Sequence, residues 1–398
     1  MRVLTAGADL LRARNAVAAV FALNGFAMAG WISRIPALRD ELALRPAQLG
    51  LLLLAVSAGS MLALPSAGWV VTRLGPARTV RAGGVLAFAG VVVVGIGGGA
   101  VGSAAVTAVG LFTFGAGSGV WDVAMNVEGA DVERRLGRTI MPRFHAAWSF
   151  GSVGGAGTGA LAETFGISLQ AHLTALGVAM LAGVFAAVSS FRPVEVPHAA
   201  RRERRSPLAA WREPRTLLIG LLVLCAALTE GTATDWLAVA LVDGYDTPRA
   251  VGAVGFAVFV AAMATTRLSG TWLLDRYGRV PVLRTGIGLA IVGVAAFVLG
   301  GSLPIAMLGA LLWGLGAALG FPVGMSAAAD EERHAAARVS VVASIGYTAF
   351  LAGPPLIGLL ADRVGVLRSL LVIMATLVLS LSVTAAARPL KPVAPQAD

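Results

Sequence analysis

Gly68-Trp69-Val70-Val71-Thr72-Arg73-Leu74-Gly75 closes one long apolar run, and Thr271-Trp272-Leu273-Leu274-Asp275-Arg276-Tyr277-Gly278 closes another about 200 residues later. Trp69-x-x-Thr72-Arg73-x-Gly75 thus returns as Trp272-x-x-Asp275-Arg276-x-Gly278. The match has company at nearly the same offset. Pro46-x-x-Leu49-Gly50 recurs as Pro248-x-x-Val251-Gly252 where the same two runs begin, and Asn24-Gly25 ahead of Trp31 corresponds to Glu230-Gly231 ahead of Trp236. Asp131-x-Glu133-Arg134 comes back as Asp330-x-Glu332-Arg333. Matches in one order at one offset mark a duplicated unit, and parallel repeats of this length are what a helical membrane protein built from two like halves leaves in its sequence.

The composition agrees with a membrane protein. Of 398 residues, 57% are apolar and 13% charged, with a mean hydropathy of +0.81. Crossing a hydrocarbon core takes about 20 predominantly apolar residues. Twelve runs qualify, near 15–33, 48–72, 79–100, 103–130, 143–165, 168–190, 215–238, 249–274, 280–300, 303–329, 337–361 and 365–387. The expectation is an all-α membrane protein with twelve transmembrane helices in two pseudo-symmetric six-helix halves, 1–190 and 216–398. The basic stretch 191–215, with Arg201-Arg202-Glu203-Arg204-Arg205 and Pro193, Pro197, Pro207 and Pro214, reads as a cytoplasmic linker. Such a run beside a membrane also attracts anionic headgroups.

The net charge of +10 does not point to nucleic acid, because the basic residues are scattered between apolar runs and form no phosphate-binding cluster. They report topology instead. With both termini in the cytoplasm, Arg34, Arg39, Arg45, Arg249, Arg363 and Arg368 face outside, Arg267 lies in a span, and the other Lys and Arg are cytoplasmic. This places the chain in a bacterial inner membrane as a multi-pass protein. Ala27-Met28-Ala29 after Arg12 and Arg14 has the look of a signal-peptide cleavage site, but the apolar run continues to Pro36 and its removal would break the repeat. The lone Cys225 excludes a disulfide framework and zinc-ligand spacing, no Gly-Lys-Ser/Thr loop is present, and no nucleophile–base pair suggests an enzyme. No metal or cofactor is expected, and the expected partners are a small solute, protons and the bilayer around a monomer.

The two closing motifs resemble the Gly-x-x-x-Asp-Arg-x-Gly signature of the major facilitator superfamily, in the loop between helices two and three of each half. Thr72 stands where the first copy would have its acid, and Thr271 where the second would have its glycine. The resemblance implies alternating-access transport, with Arg73, Gly75, Asp275, Arg276 and Gly278 as conformational-gate candidates; the missing acid at Thr72 weakens the first lock. Trp121-Asp122-Val123-Ala124-Met125-Asn126 and Glu230-Gly231 to Trp236 resemble the fucose:proton symporter branch. Trp31-Ile32-Ser33-Arg34-Ile35-Pro36 together with Phe144-His145-x-x-Trp148-Ser149-x-Gly151 is similar to the YbjJ-type bacterial inner-membrane transporters.

An ionised group in mid-membrane costs at least a few kcal/mol, so each one within a span is a candidate for function. Asp122 and Asn126, spaced i, i+4, share one face of helix four with Gly115 and Gly119. His145, at the start of helix five, is positioned in sequence to face Asp122, and a carboxylate beside an imidazole passes protons near neutral pH. Glu230 falls about two-thirds of the way along helix seven and Asp235 nearer the outside, roughly 140° apart around the axis. These four acids and bases are the proton-coupling candidates. Asn24, Trp31, Asn126, Trp148, Trp236 and Arg267 are the cavity candidates. For several the residue type leaves two readings open: Asn24 as solute contact or interhelical glue, Arg267 as cavity lining or a snorkelling cation, and Trp31 and Trp236 as stacking surfaces or members of the interfacial belt. Gly151, Gly155 and Gly159 on helix five and Gly316, Gly320 and Gly324 on helix ten make small-residue stripes for close packing. Pro322, Pro354 and Pro355 predict kinks in helices ten and eleven. The expected activity is proton-coupled secondary transport of a small, sugar-like polar solute by alternating access; proton-driven efflux of a drug or metabolite and a non-transporting receptor or scaffold are the alternatives.

Overall fold

The computed structural model describes residues 2–136, 140–191, 207–330 and 335–389, and every regular element among them is helical. In lipid this follows from the backbone, whose polar groups find partners within each helix when no water is available. Eleven helices are long and apolar enough to cross a membrane. In the first half these are helix one (Asp9–Glu41), two (Pro46–Leu64), three (Pro76–Val101), four (Ala104–Glu133) and six (Leu169–Val188). In the second they are helix seven (Pro214–Tyr245), eight (Arg249–Tyr277), nine (Arg279–Leu299), ten (Leu303–Ala328), eleven (Val341–Val364) and twelve (Val366–Ala387). Helix five, Met141–Thr164, completes the set at 24 residues, roughly 36 Å. It carries Gly151, Gly154, Gly155, Gly157 and Gly159 within nine residues. Arg201–Arg205, Glu332, Arg333 and the tail beyond residue 389 lie outside the described residues.

Proline and glycine punctuate the chain. Proline occupies the first turn of helices two, five, seven and ten, where its missing N–H has no partner to lose. Helix one runs to Ile32, turns at Ser33 and Arg34, and continues as a short helix, Ile35–Glu41. Helix ten divides into Leu303–Ala317 and Gly320–Ala328, the break at Ala318 and Leu319 lying three to four residues ahead of Pro322, as the proline predicts. Helix eleven instead absorbs Pro354 and Pro355 within one helix, Ala335–Val364. The break in helix ten also splits its glycine stripe: Gly316 packs on Gly286 and Ala290 of helix nine, whereas Gly320 and Gly324 face Ala226 and Val223 of helix seven.

Helix five packs on helix one through its glycines. A Cβ at Gly151 would strike the Ala22 carbonyl, one at Gly155 the Phe26 carbonyl, and one at Gly159 the Ser33 hydroxyl. Gly115 and Gly119 bring helix four equally close to Val56 and Ser60 of helix two. Without a hydrophobic drive between helices in lipid, such backbone approach is what holds a bundle together. Between the halves, helix two packs on helix eleven and helix five on helix eight.

Candidate functional site

Helices one, four and five converge on one polar cluster in the first half. The Trp148 indole N–H donates to Asn24 Oδ1 at 3.0 Å, and Asn24 Nδ2 donates to Ser118 Oγ at 3.4 Å. Asn24 is buried, so its amide is taken up in orienting Trp148 against helix four, which favours the glue reading. One turn beyond Ser118, the Asp122 carboxylate accepts from Asn126 Nδ2 at 3.3 Å, and the same amide donates to the Asp122 carbonyl at 2.8 Å. The side chain of Asp122 is exposed, and Tyr347 of helix eleven lies within its electrostatic reach, so it faces the second half.

His145 is not brought against Asp122. Its ring meets Phe21 edge-on at 5.2 Å between centroids, and the cation it senses is Arg267 of helix eight. The sequence places helices four and five next to one another in order, but helix five leans on helix one through its glycines, and this turns His145 toward the other half.

Arg267 is neither free nor snorkelling. Its Nη2 reaches both oxygens of Glu230 at 3.0 Å, and its Nε donates to the Ala318 carbonyl at 3.3 Å, a group released where helix ten breaks. The pair joins helices seven and eight and is about one-fifth to one-quarter exposed. Asp235 has no hydrogen-bonding or ion-pairing partner among the described residues. Phe321, Tyr347 and Phe350 stand in sequence across helices ten and eleven, with ring centroids 6.5 and 6.3 Å apart. Nothing in the sequence singled out Tyr347; a tyrosine in a span, facing an acid on the other half, is the signal that was there.

Trp31 and Trp236 sit in the packed interior, Trp31 edge-on to Phe114 and Trp236 fully buried. Proximity to a helix end suggested places in the interfacial belt, but both side chains are buried in the packed interior.

The gate motifs share a backbone conformation. Gly75 has φ 76, ψ 160 and Gly278 has φ 78, ψ 165, a region that essentially only glycine occupies, so each signature ends in a one-residue hinge between successive helices. Asp275 and Arg276 are exposed, Arg276 lying over the Tyr277 ring, and neither joins the Asp330 cluster. Arg279, next after the hinge, does: its Nη1 binds Asp330 at 2.7 Å, and Arg215 binds the same carboxylate at 2.8 Å. In the first half Asp131, the counterpart of Asp330, binds Arg135 at 2.6 Å, while Glu133 accepts the Ile140 and Met141 N–H groups at the start of helix five at 2.6 Å each.

A further copy of the signature escaped the sequence reading. Gly358-Leu359-Leu360-Ala361-Asp362-Arg363-Val364-Gly365 is complete, and Gly365 repeats the hinge at φ 83, ψ 154 between helices eleven and twelve. It lies at the end that the charge distribution assigns to the outside. There the halves are tied together: Arg39 bonds Asp243, Asp40 faces Arg249 at 3.4 Å, and the Ala47 N–H donates to Asp362 Oδ1 at 3.1 Å.

Residues 17–337 match the family model of the Major Facilitator Superfamily. The chain is 34% identical over 358 residues to an uncharacterized transporter, y4wD, of Sinorhizobium fredii (strain NBRC 101917 / NGR234), covering 89% of this chain and 92% of that one. It is 32% identical over 345 residues to an uncharacterized MFS-type transporter of Yersinia pestis, covering 86% and 87%. In fold it is similar to a mutant of the nucleoside transporter NupG, with a TM-score of 0.76 at 14% identity over 94% of this chain and 99% of that one.

Proposed function

Because the chain belongs to the Major Facilitator Superfamily and is a multi-pass membrane transporter of that kind, we propose that it carries a small polar solute by alternating access, driven by proton movement. The observation that carries this reading is Asp122. Among the described residues its carboxylate has a single side-chain partner, the uncharged Asn126, and it faces the other half in mid-membrane. An ionised acid is costly in that setting and a proton relieves the cost, so solute and proton binding are coupled through one side chain. Asp235, without a partner among the described residues, is the second acid able to take up a proton.

Glu230 and Arg267 act together. Their charges cancel, and a polar solute is able to exchange hydrogen bonds with the pair without bringing a new charge into the membrane. Trp148, held by Asn24, and Tyr347 offer flat faces of the kind that stack on a sugar ring, and Asn126 adds a hydrogen-bonding amide; His145 and Arg267 flank them. The solute class we favour is therefore sugar-like. The protein works as a monomer in a bacterial inner membrane with both termini in the cytoplasm.

The Phe321–Tyr347–Phe350 group favours a second reading, export of an amphipathic compound that needs aromatic surface. Uptake assays in proteoliposomes decide whether Asp122 couples protons. Asp122→Asn is expected to abolish accumulation driven by a pH gradient while leaving downhill exchange of the same solute measurable. Gradient-driven accumulation at the original rate in this variant would falsify the coupling scheme. Screening sugars against amphipathic dyes as solutes separates import from export.

A further inference from the structure

Helices two and eleven run antiparallel across the boundary between the halves, since Pro46 and Ala47 at the start of helix two meet Gly358 and Asp362 at the end of helix eleven. The approach is close. A Cβ at Gly358 would press on the Pro46 carbonyl, and one at Gly50 would strike the Pro354 carbonyl. In this setting the Asp362 carboxylate occupies the amino end of helix two, where orphan N–H groups and the helix dipole both favour a negative charge. The arrangement is possible only while the outer ends of the halves are together. At the opposite end of the same antiparallel pair, the closing motif of helix two, Gly68 to Gly75, lies toward the start of helix eleven, and the position equivalent to Asp362 is Thr72, which has no charge to offer.

From this asymmetry we infer that Asp362 is an outer lock of the helix two–helix eleven pair, which has no acidic counterpart at Thr72 on its inner end, so that the solute-free protein rests closed to the outside and open to the cytoplasm. Asp362 is a positioning residue in the transport cycle. It contacts no solute, and it sets how often the site is presented to each side. Arg39–Asp243 and Asp40–Arg249 add to the outer closure but lie at the rim, where solvent and salt weaken ion pairs. Asp362 acts on a helix end, a partner that does not titrate. The inference rests on alternating access as proposed above but needs neither proton coupling nor a particular solute.

The test is a distance measurement between spin labels on full-length protein in liposomes without solute. The labels sit at Glu41→Cys and Arg368→Cys, exposed outer positions on opposite halves, in a Cys225→Ser background. Asp362→Asn, which keeps an acceptor for the Ala47 N–H but removes the charge, is expected to raise the population of the longer, outward-open distance by roughly 1.5- to 5-fold, the range for losing a charge at a helix N-terminus. Thr72→Asp, which supplies the missing inner charge, is expected to shift the populations the same way, and Asp362→Glu to retain the parent distribution. An unchanged distribution in Asp362→Asn, or a shift toward the closed distance in Thr72→Asp, overturns the assignment. Should Thr72→Asp fail to fold, Asp362→Asn against Asp362→Glu decides alone. Transport rates do not enter the readout, so a failed coupling scheme and a failed lock give different results.

Discussion

Arg267 holds Glu230 through both carboxylate oxygens, and this geometry sets what substitution there does. Removing one partner strands a charge in mid-membrane, whereas removing both leaves two neutral groups. Breaking a fully buried pair costs about 3–5 kcal/mol, and the partial exposure of this one reduces the figure. Arg267→Gln and Glu230→Gln alone are therefore expected to lower thermal stability more than the double variant does, as read from melting of the detergent-solubilised protein. A double variant that loses the sum of the two single losses would mean that the pair carries no coupling. Sequence reasoning reached both residues but not their partnership, because they are 37 positions apart on separate helices and no periodicity links such helices in register. It did place Asp122 and Asn126 on one face, since i, i+4 spacing is a property of the helix itself. His145, Trp31 and Trp236 differ for the same reason: where a side chain points depends on how its helix is rotated against its neighbours, which one residue does not encode.

At the level of elements, the one-residue hinges are the sharpest feature. No neighbour lies within 4 Å of where a Cβ at Gly278 would sit, so crowding is not what reserves the position for glycine; the positive φ is. Gly278→Ala is expected to cost about 1–3 kcal/mol. Gly288, inside helix nine and equally open, provides the comparison, since Ala there is neutral or stabilising by up to about 1 kcal/mol. Thermal melts of the two variants side by side distinguish backbone strain from lost space, and equal melting temperatures would dismiss the strain argument. The hinges at Gly75 and Gly278 were legible because Arg-x-Gly at a fixed offset survives in both copies. The outer copy at Gly358 to Gly365 was equally legible, yet it was missed because attention to the 200-residue repeat fixed the search on loops between second and third helices. The break in helix ten follows from Pro322, but Pro354 and Pro355 show that proline alone does not decide between a break and a continuous helix.

For the whole molecule, ties across the outer ends imply that the two halves must part there during every cycle. Arg39 and Asp243 touch in the closed arrangement. The double variant Arg39→Cys, Asp243→Cys in a Cys225→Ser background is expected to be joined by a short bifunctional methanethiosulfonate reagent, a linker being needed because an arginine side chain spans more than a disulfide does, and to lose transport by more than about tenfold, with activity returning on reduction. Unimpeded transport by the cross-linked protein would show that these ends need not separate. The two-half plan was readable from the repeat and the apolar runs, whereas which ends touch was not, since both arrangements use one sequence. Helix five carries a different consequence. The glycines that let it lie against the backbone of helix one also strip it of the apolar side chains that draw a segment out of a translocation channel into lipid. It is the one helix of the bundle, among the described residues, that is not by itself apolar enough to count as a span, so its seat in the first half depends on the backbone surface that helix one offers it.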